Sequence, residues 1–192
     1  ANGLPEGVLQ LGSTLESFQV CEKDGIVTLT VRNRTSQETP HIQPRCLIGA
    51  NGIHSPMRQA LFGTDAVTKL YHGKNMYRAI LPCSSLKNPP PRGVNVGYQG
   101  DEQGKLFSFR ETASGILTVT AMACCDKEST NDAMEPQEKK LEMMRVFEEF
   151  PAPVQEVLSQ LHPQSLHVQP IQDIGVLEGT WYKGPVIVIG EA

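Results

Sequence analysis

Residues 46–63, CLIGANGIHSPMRQALFG, decide how this chain is read. A short apolar run at Leu47 and Ile48 ends on Gly49-Ala50-Asn51-Gly52 and turns at once into an amphipathic segment. Ser55 stands where a hydroxyl can cap a helix, Pro56 suits the first helical position, and Gly63 lies where helices stop. The spacing therefore predicts a strand over Arg45 to Ala50, a glycine turn, and a helix that begins at Ser55 and ends at Gly63. In open α/β sheets, ligands sit beyond the carboxyl ends of parallel strands. Glycine there permits positive φ and a close approach to the backbone. Arg58 falls in the first helical turn, where its charge opposes the helix dipole. A carboxylate or ligand partner would resolve that misfit; an ordinary surface arginine is the plainer reading.

The last residues, GPVIVIGEA, repeat the grammar of a strand that ends on glycine. Val186 to Ile189 are apolar at successive positions, which predicts a parallel strand buried on both faces. Gly190 and Glu191 follow it, a polar side chain beside glycine as at Asn51 and Gly52. Each segment taken singly also fits a generic turn. A buried parallel strand with so little after it leads us to expect that the chain is a piece of a longer protein.

Between these segments the pattern is mostly that of strands. Val8 to Val31 reads as two or three strands with a turn at Lys23-Asp24-Gly25, since Asp-Gly is a strong hairpin signal. Thr35 to Pro44 reads as a loop, and Met76 to Leu81 as a short strand. Asn88 to Gly93, with three consecutive prolines, reads as a loop. Val94 to Tyr98, Lys105 to Arg110 and Gly115 to Cys124 predict an antiparallel meander. A helix is expected from Pro136 to Phe150, with Glu135 and Glu138 at its positive end. Its apolar face would carry Leu141, Met144 and Phe147, with Val146 and Phe150 alongside. A shorter helix follows from Val154 to Leu161, and both helices are expected to pack on a sheet.

Composition narrows the class. With 39% hydrophobic and 20% charged residues, the chain can bury a sizeable core. A net charge of -4 gives no electrostatic reason to expect nucleic acid as a partner. No apolar run is long enough for a transmembrane helix, and the first residues lack the pattern of a signal peptide. The five cysteines, Cys21, Cys46, Cys83, Cys124 and Cys125, have no CxxC spacing. Most lie in apolar runs, so they are expected as reduced, core-like residues in a reducing intracellular compartment. The histidines do not cluster at metal-ligand spacing, so no metal site is expected.

LIGANGIHSPMRQALFG resembles the segment written GADGxxSxVR in the flavin-dependent aromatic hydroxylases, the class A or p-hydroxybenzoate hydroxylase-like flavoprotein monooxygenases. GPVIVIGEA resembles the strand and the start of that family's later GDAAH segment. The order of the two, with a meander and a helix between, also fits. The resemblance implies an α/β (α+β) fold, a partial Rossmann-like FAD-binding domain with an inserted antiparallel-sheet substrate domain. It would place FAD-domain residues at 1–66, the substrate domain at 67–170, and the return to the FAD domain at 171–192. It implies FAD and NAD(P)H as cofactors, with O2 and a small, largely apolar organic molecule as co-substrates.

Residue by residue, the resemblance makes Asn51, Gly52, Ser55, Arg58, Gly190 and Glu191 the cofactor-binding set; no catalytic residue can be named. Tyr77, Arg78, Phe109 and Arg110 are candidates to face a substrate pocket, with sheet packing or a solvated face as the alternative. Three departures stand out. Asn51 replaces the family's aspartate and loses its charge, Glu191 replaces a shorter aspartate, and GxGxxG does not occur. The glycine turn that holds the FAD pyrophosphate is therefore expected upstream, and the isolated segment is expected to be inactive. The alternatives are an FAD-dependent oxidase or reductase of the same fold, and a catalytically silent binding protein.

Overall fold

The computed structural model describes residues 3–21, 23–64, 68–100, 104–131, 134–175 and 179–190. The fold is mixed and rich in sheet, with few helices. It divides into two compact units, Ala1–Thr68 with Ile174–Ala192, and Lys69–Asp173.

In the first unit, β1 (Ser13–Val20) and β2 (Val27–Asn33) form an antiparallel hairpin. The Asp-Gly signal does what it predicts. Gly25 takes a positive φ of 69°, and the Ile26 amide donates to Asp24 Oδ1 at 3.1 Å. The segment expected as a loop over 35–44 also contains a short strand, β3 (His41–Ile42), paired with Leu29 and Thr30 of β2. Two residues are too few to show an alternation that sequence could reveal.

A second sheet has the order β10-β11-β4, from β4 (Leu47–Gly49), β10 (Tyr182–Lys183) and β11 (Val186–Val188). Helix α1 (Pro56–Phe62) follows β4. Val27, Leu29, Met57, Leu61, Val186 and Val188 form the core of this unit. The expected burial of β11 on both faces is corrected. Val186 and Val188 are buried, but Ile189 is 46% exposed, as is Ile48 at 58%. Strand alternation sends the two valines to the core and leaves the isoleucines on the other face.

The second unit carries a five-stranded sheet with the order β6-β7-β8-β5-β9. Its strands are β5 (Lys69–Pro82), β6 (Asn95–Gln99), β7 (Leu106–Ala113), β8 (Ile116–Cys124) and β9 (His167–Ile174). The pairs β6–β7, β7–β8 and β8–β5 are antiparallel, as the meander pattern predicts. One face packs on α2 (Pro136–Val146) and α3 (Ala152–Gln160). There Phe107, Phe147, Phe150 and Tyr77 meet edge to face, with Phe107 and Phe147 5.4 Å apart at 73°. Such aromatic contacts add to plain area burial.

The helices close each other's ends. Lys140 Nζ of α2 donates to the Ser159 and Leu161 carbonyls at the end of α3. Gln155 Nε2 of α3 donates to the Phe147, Glu148 and Phe150 carbonyls after α2. These carbonyls lie at or beyond the helix ends, where the helical ladder runs out; the Phe147 carbonyl also accepts from the Phe150 amide at 3.1 Å. Glu138 accepts from the Glu135 amide at the start of α2, as their placement suggests. Two expectations for α2 need correction. It ends at Val146, short of Phe150: Phe147 leaves helical geometry at φ -110° and ψ 21°, and Pro151 disfavours helix at the residue before it. Of the expected apolar face, Phe147 and Phe150 are buried and Met144 and Val146 pack against the core, but Leu141 is 53% exposed, and Lys139 and Met143 are buried in its place. Lys139 pays for burial with a hydrogen bond from Nζ to Asn131 Oδ1 at 2.9 Å.

The cysteines also differ from expectation. Cys21, Cys46 and Cys124 are exposed, and Cys83 and Cys125 are half-buried, none of them in a disulfide. Cys124 lies beyond the buried Ala123, so alternation turns it away from the core. No helix among the described residues is long and apolar enough to cross a membrane, and those residues contain no cluster of metal-ligating side chains.

Candidate functional site

The two glycine segments meet at one edge of the β10-β11-β4 sheet. β11 runs parallel to β4 with Val186 opposite Leu47, Ile187 opposite Ile48 and Val188 opposite Gly49. The Ile189 amide then donates to the Gly49 carbonyl at 2.8 Å, so the pairing continues to the last residue before Gly190. Both chains leave the sheet at its carboxyl edge, where α/β folds hold ligands.

The turn after β4 is built from its own residues. Gly52 has φ 76° and Gly190 has φ 68°, and a methyl group at either would meet nothing within 4 Å. Conformation, not crowding, calls for glycine at both, and the space before them is open. Gly49 differs: a Cβ there would lie 2.9 Å from Met57 Sδ and Cε and 3.3 Å from Val188 Cγ1. It is the point where helix and strand approach closely, and its role was not apparent from sequence.

Ser55 is fully buried and works in both directions. Its hydroxyl oxygen accepts from the Arg58 amide at 3.0 Å, the N-cap bond that the sequence predicts, and its proton goes to Asn51 Oδ1. The Ser55 amide donates to the Gly52 carbonyl at 2.9 Å. Arg58 is 2% exposed, and Nη2 reaches back to the Ile53 carbonyl at 2.7 Å. The first-turn misfit is met in part by a carbonyl of the turn itself. Asn51, Gly52, Ser55 and Arg58 thus form one hydrogen-bonded loop with the Asn51 side chain exposed, and Gly190 lies on the neighbouring strand end. Glu191 lies outside the described residues.

In the second unit, register separates the candidates that sequence left together. Tyr77 and Phe109 are buried in the core beneath α2 and α3. Arg78 and Arg110 are exposed on the opposite face. The Tyr77 hydroxyl lies 3.4 Å from Glu142 Oε1 and 3.9 Å from Cys125 Sγ. Burial, with these neighbours adding, pushes its phenol far above the ordinary value.

No protein-family model and no curated protein sequence matches the chain. Solved structures do. HpxO of Klebsiella pneumoniae, complexed with FAD and uric acid, is 19% identical, with a TM-score of 0.71 over 94% of this chain and 42% of its own. The tetracycline destructase Tet(55) is 18% identical, with a TM-score of 0.67 over 93% of this chain and 44% of its own. A Photorhabdus luminescens protein, provisionally described as an FAD-containing monooxygenase, is 11% identical, with a TM-score of 0.64 over 93% of this chain and 50% of its own. The chain spans half the length of these structures or less. Identity this low speaks to fold alone: the chain has the fold of the corresponding part of these structures.

Proposed function

We propose that the chain is part of an FAD-dependent monooxygenase that uses NAD(P)H and O2 to place one oxygen atom in a small organic molecule. The observation that carries this is the parallel, in-register pairing of β4 with β11, which brings both glycine turns to one sheet edge. The first unit is then part of a Rossmann-like FAD-binding domain, and the second an inserted domain that covers the substrate.

The residues present fit a dinucleotide at that edge. Two positive-φ glycines leave open space before the backbone, and the exposed Asn51 offers polar atoms beside it. Asn51, Gly52 and Gly190 would hold the cofactor directly, together with Glu191. Ser55 and Arg58 act behind them: Ser55 fixes Asn51 through its hydroxyl, and Arg58 fixes the Ile53 carbonyl. FAD, when bound, supplies the oxygen-transfer chemistry, and the protein supplies position and shelter from water. That HpxO and the Photorhabdus protein are described with FAD supports the cofactor, and uric acid in HpxO supports a small-molecule substrate.

The experiment is on the full-length protein. It should purify yellow or take up FAD, and oxidise NAD(P)H with O2 uptake coupled to a product one oxygen heavier than substrate. A colourless protein that takes up no FAD would overturn the reading. FAD uptake without oxygen incorporation would move it to an oxidase or reductase.

A further inference from the structure

Residues 86–94, LKNPPPRGV, lead into β6 and carry three consecutive prolines. Proline fixes φ at about −65°, and a residue that precedes proline is driven to extended backbone. Asn88, Pro89 and Pro90 all precede a proline, so residues 89–91 are held in a left-handed polyproline turn. Such a turn has about three residues per turn and no internal hydrogen bonds. The structure agrees: residues 89–91 form neither helix, strand nor turn.

Successive side chains of a polyproline turn point about 120° apart, so the three rings lie on three different edges. Pro90 is buried, whereas Pro89 and Pro91 are exposed. The fold grips one edge and offers the other two to solvent. Both ends of the segment are tied down. Before it, Leu86 is buried in the core of the second unit, and the Lys87 amide donates to Glu156 Oε1 of α3 at 2.6 Å. After it, the Val94 amide donates to the Pro91 carbonyl at 3.0 Å and closes a turn through Gly93, whose φ is 81°. A segment fixed in this way loses little conformational freedom when a partner covers it.

Charge and spacing define that partner. Lys87 and Arg92 bracket the prolines, are exposed, and form no ion pair among the described residues. A complementary groove is therefore aromatic where the rings stack and negative at its rim. Grooves that read PxxP fill two slots with prolines three residues apart. Here the residues three positions beyond Pro89, Pro90 and Pro91 are Arg92, Gly93 and Val94, so a second slot stays empty. We infer that residues 87–92 are a docking site for a protein module with a single aromatic proline slot and an acidic rim, of the WW type. Pro89 and Pro91 enter the slot and Arg92 meets the rim. Docking here needs neither FAD nor substrate.

The test is biolayer interferometry with the immobilised full-length protein and a panel of isolated WW domains, acidic-rimmed and basic-rimmed, with an SH3 domain as the two-slot comparison. Acidic-rimmed WW domains should bind saturably, and more weakly as salt is raised. Pro89→Ala and Pro91→Ala each take ring methylenes out of the slot and should weaken binding about tenfold. Arg92→Gln should weaken it less and flatten the salt dependence. Because these three residues are exposed, each variant should unfold within a few degrees of the unaltered protein, which separates loss of docking from loss of fold. No binding by any WW domain, binding that survives both alanine variants, or equal binding of acidic-rimmed and basic-rimmed grooves would overturn the inference. Tighter binding of the SH3 domain would overturn it as well, since that requires two filled slots.

Discussion

Gly49 and Met57 are packed so closely that a methyl group on the glycine would lie 2.9 Å from the methionine sulfur and terminal carbon. The contact joins the end of β4 to the first turn of α1. It therefore sets how the glycine turn between them is presented at the sheet edge. Gly49→Ala should destabilise the protein by about 1–3 kcal/mol, the usual cost of overpacking. The flexible end of Met57 argues for the lower part of that range. In a Met57→Ala background the penalty should shrink. Urea unfolding of the four variants of this cycle measures the coupling, and equal penalties in both backgrounds would show that the contact does not limit packing.

Ser55→Ala removes the helix cap and the bond to Asn51 together. Loss of the cap alone should cost about 1 kcal/mol. Under the proposed function, FAD affinity should also fall, because Asn51 is no longer held. Asn51→Asp should act in the opposite sense on the cofactor, since the Ser55 hydroxyl would then donate to a charged acceptor. Fluorescence titration of FAD on the full-length protein checks both. Unchanged affinity in both variants would remove this loop from the cofactor site.

Asn75 is fully buried and ties the chain after β8 to β5. Its Nδ2 donates to the Lys127 carbonyl at 3.1 Å, and its Oδ1 accepts from the Tyr71 hydroxyl at 3.1 Å and the Ser129 amide at 3.3 Å. Asn75→Ala would leave these groups without that partner, at about 1–3 kcal/mol for each group that water cannot reach. Amide exchange over 125–129 should quicken more than exchange in the α2 core. If exchange rises uniformly instead, the amide is not a local clamp.

Tyr77 should make stability fall at alkaline pH. Burial raises its phenol well above the ordinary value of about 10, with Cys125 and Glu142 adding to the effect. The folded state therefore keeps a proton that the unfolded chain releases. The contribution is fully present below pH 10 and declines as pH rises beyond it toward the folded value. Tyr77→Phe should cost about 1 kcal/mol or less at neutral pH, because its hydrogen bonds are long. It should also flatten the alkaline decline, as measured by denaturant midpoints between pH 8 and 11. An unchanged slope would assign the decline to other groups.

What the sequence determined by itself was local. Ser55, Pro56 and Gly63 bound α1, and Asp24-Gly25 makes the first hairpin turn, because caps and turns depend on residues a few positions apart. The meander of β6, β7 and β8 was legible for the same reason, since consecutive strands pair with their neighbours. Tertiary structure decided what local pattern cannot carry. It set Gly49 opposite Val188, residues far apart in sequence, and so brought the two glycine turns to one edge. It buried Lys139 and exposed Leu141, because the face a helix hides depends on what lies beneath it. It also sent Tyr77 to the core and Arg78 to the open face. Adjacent strand residues point to opposite sides, and only the partner layer decides which side is inside.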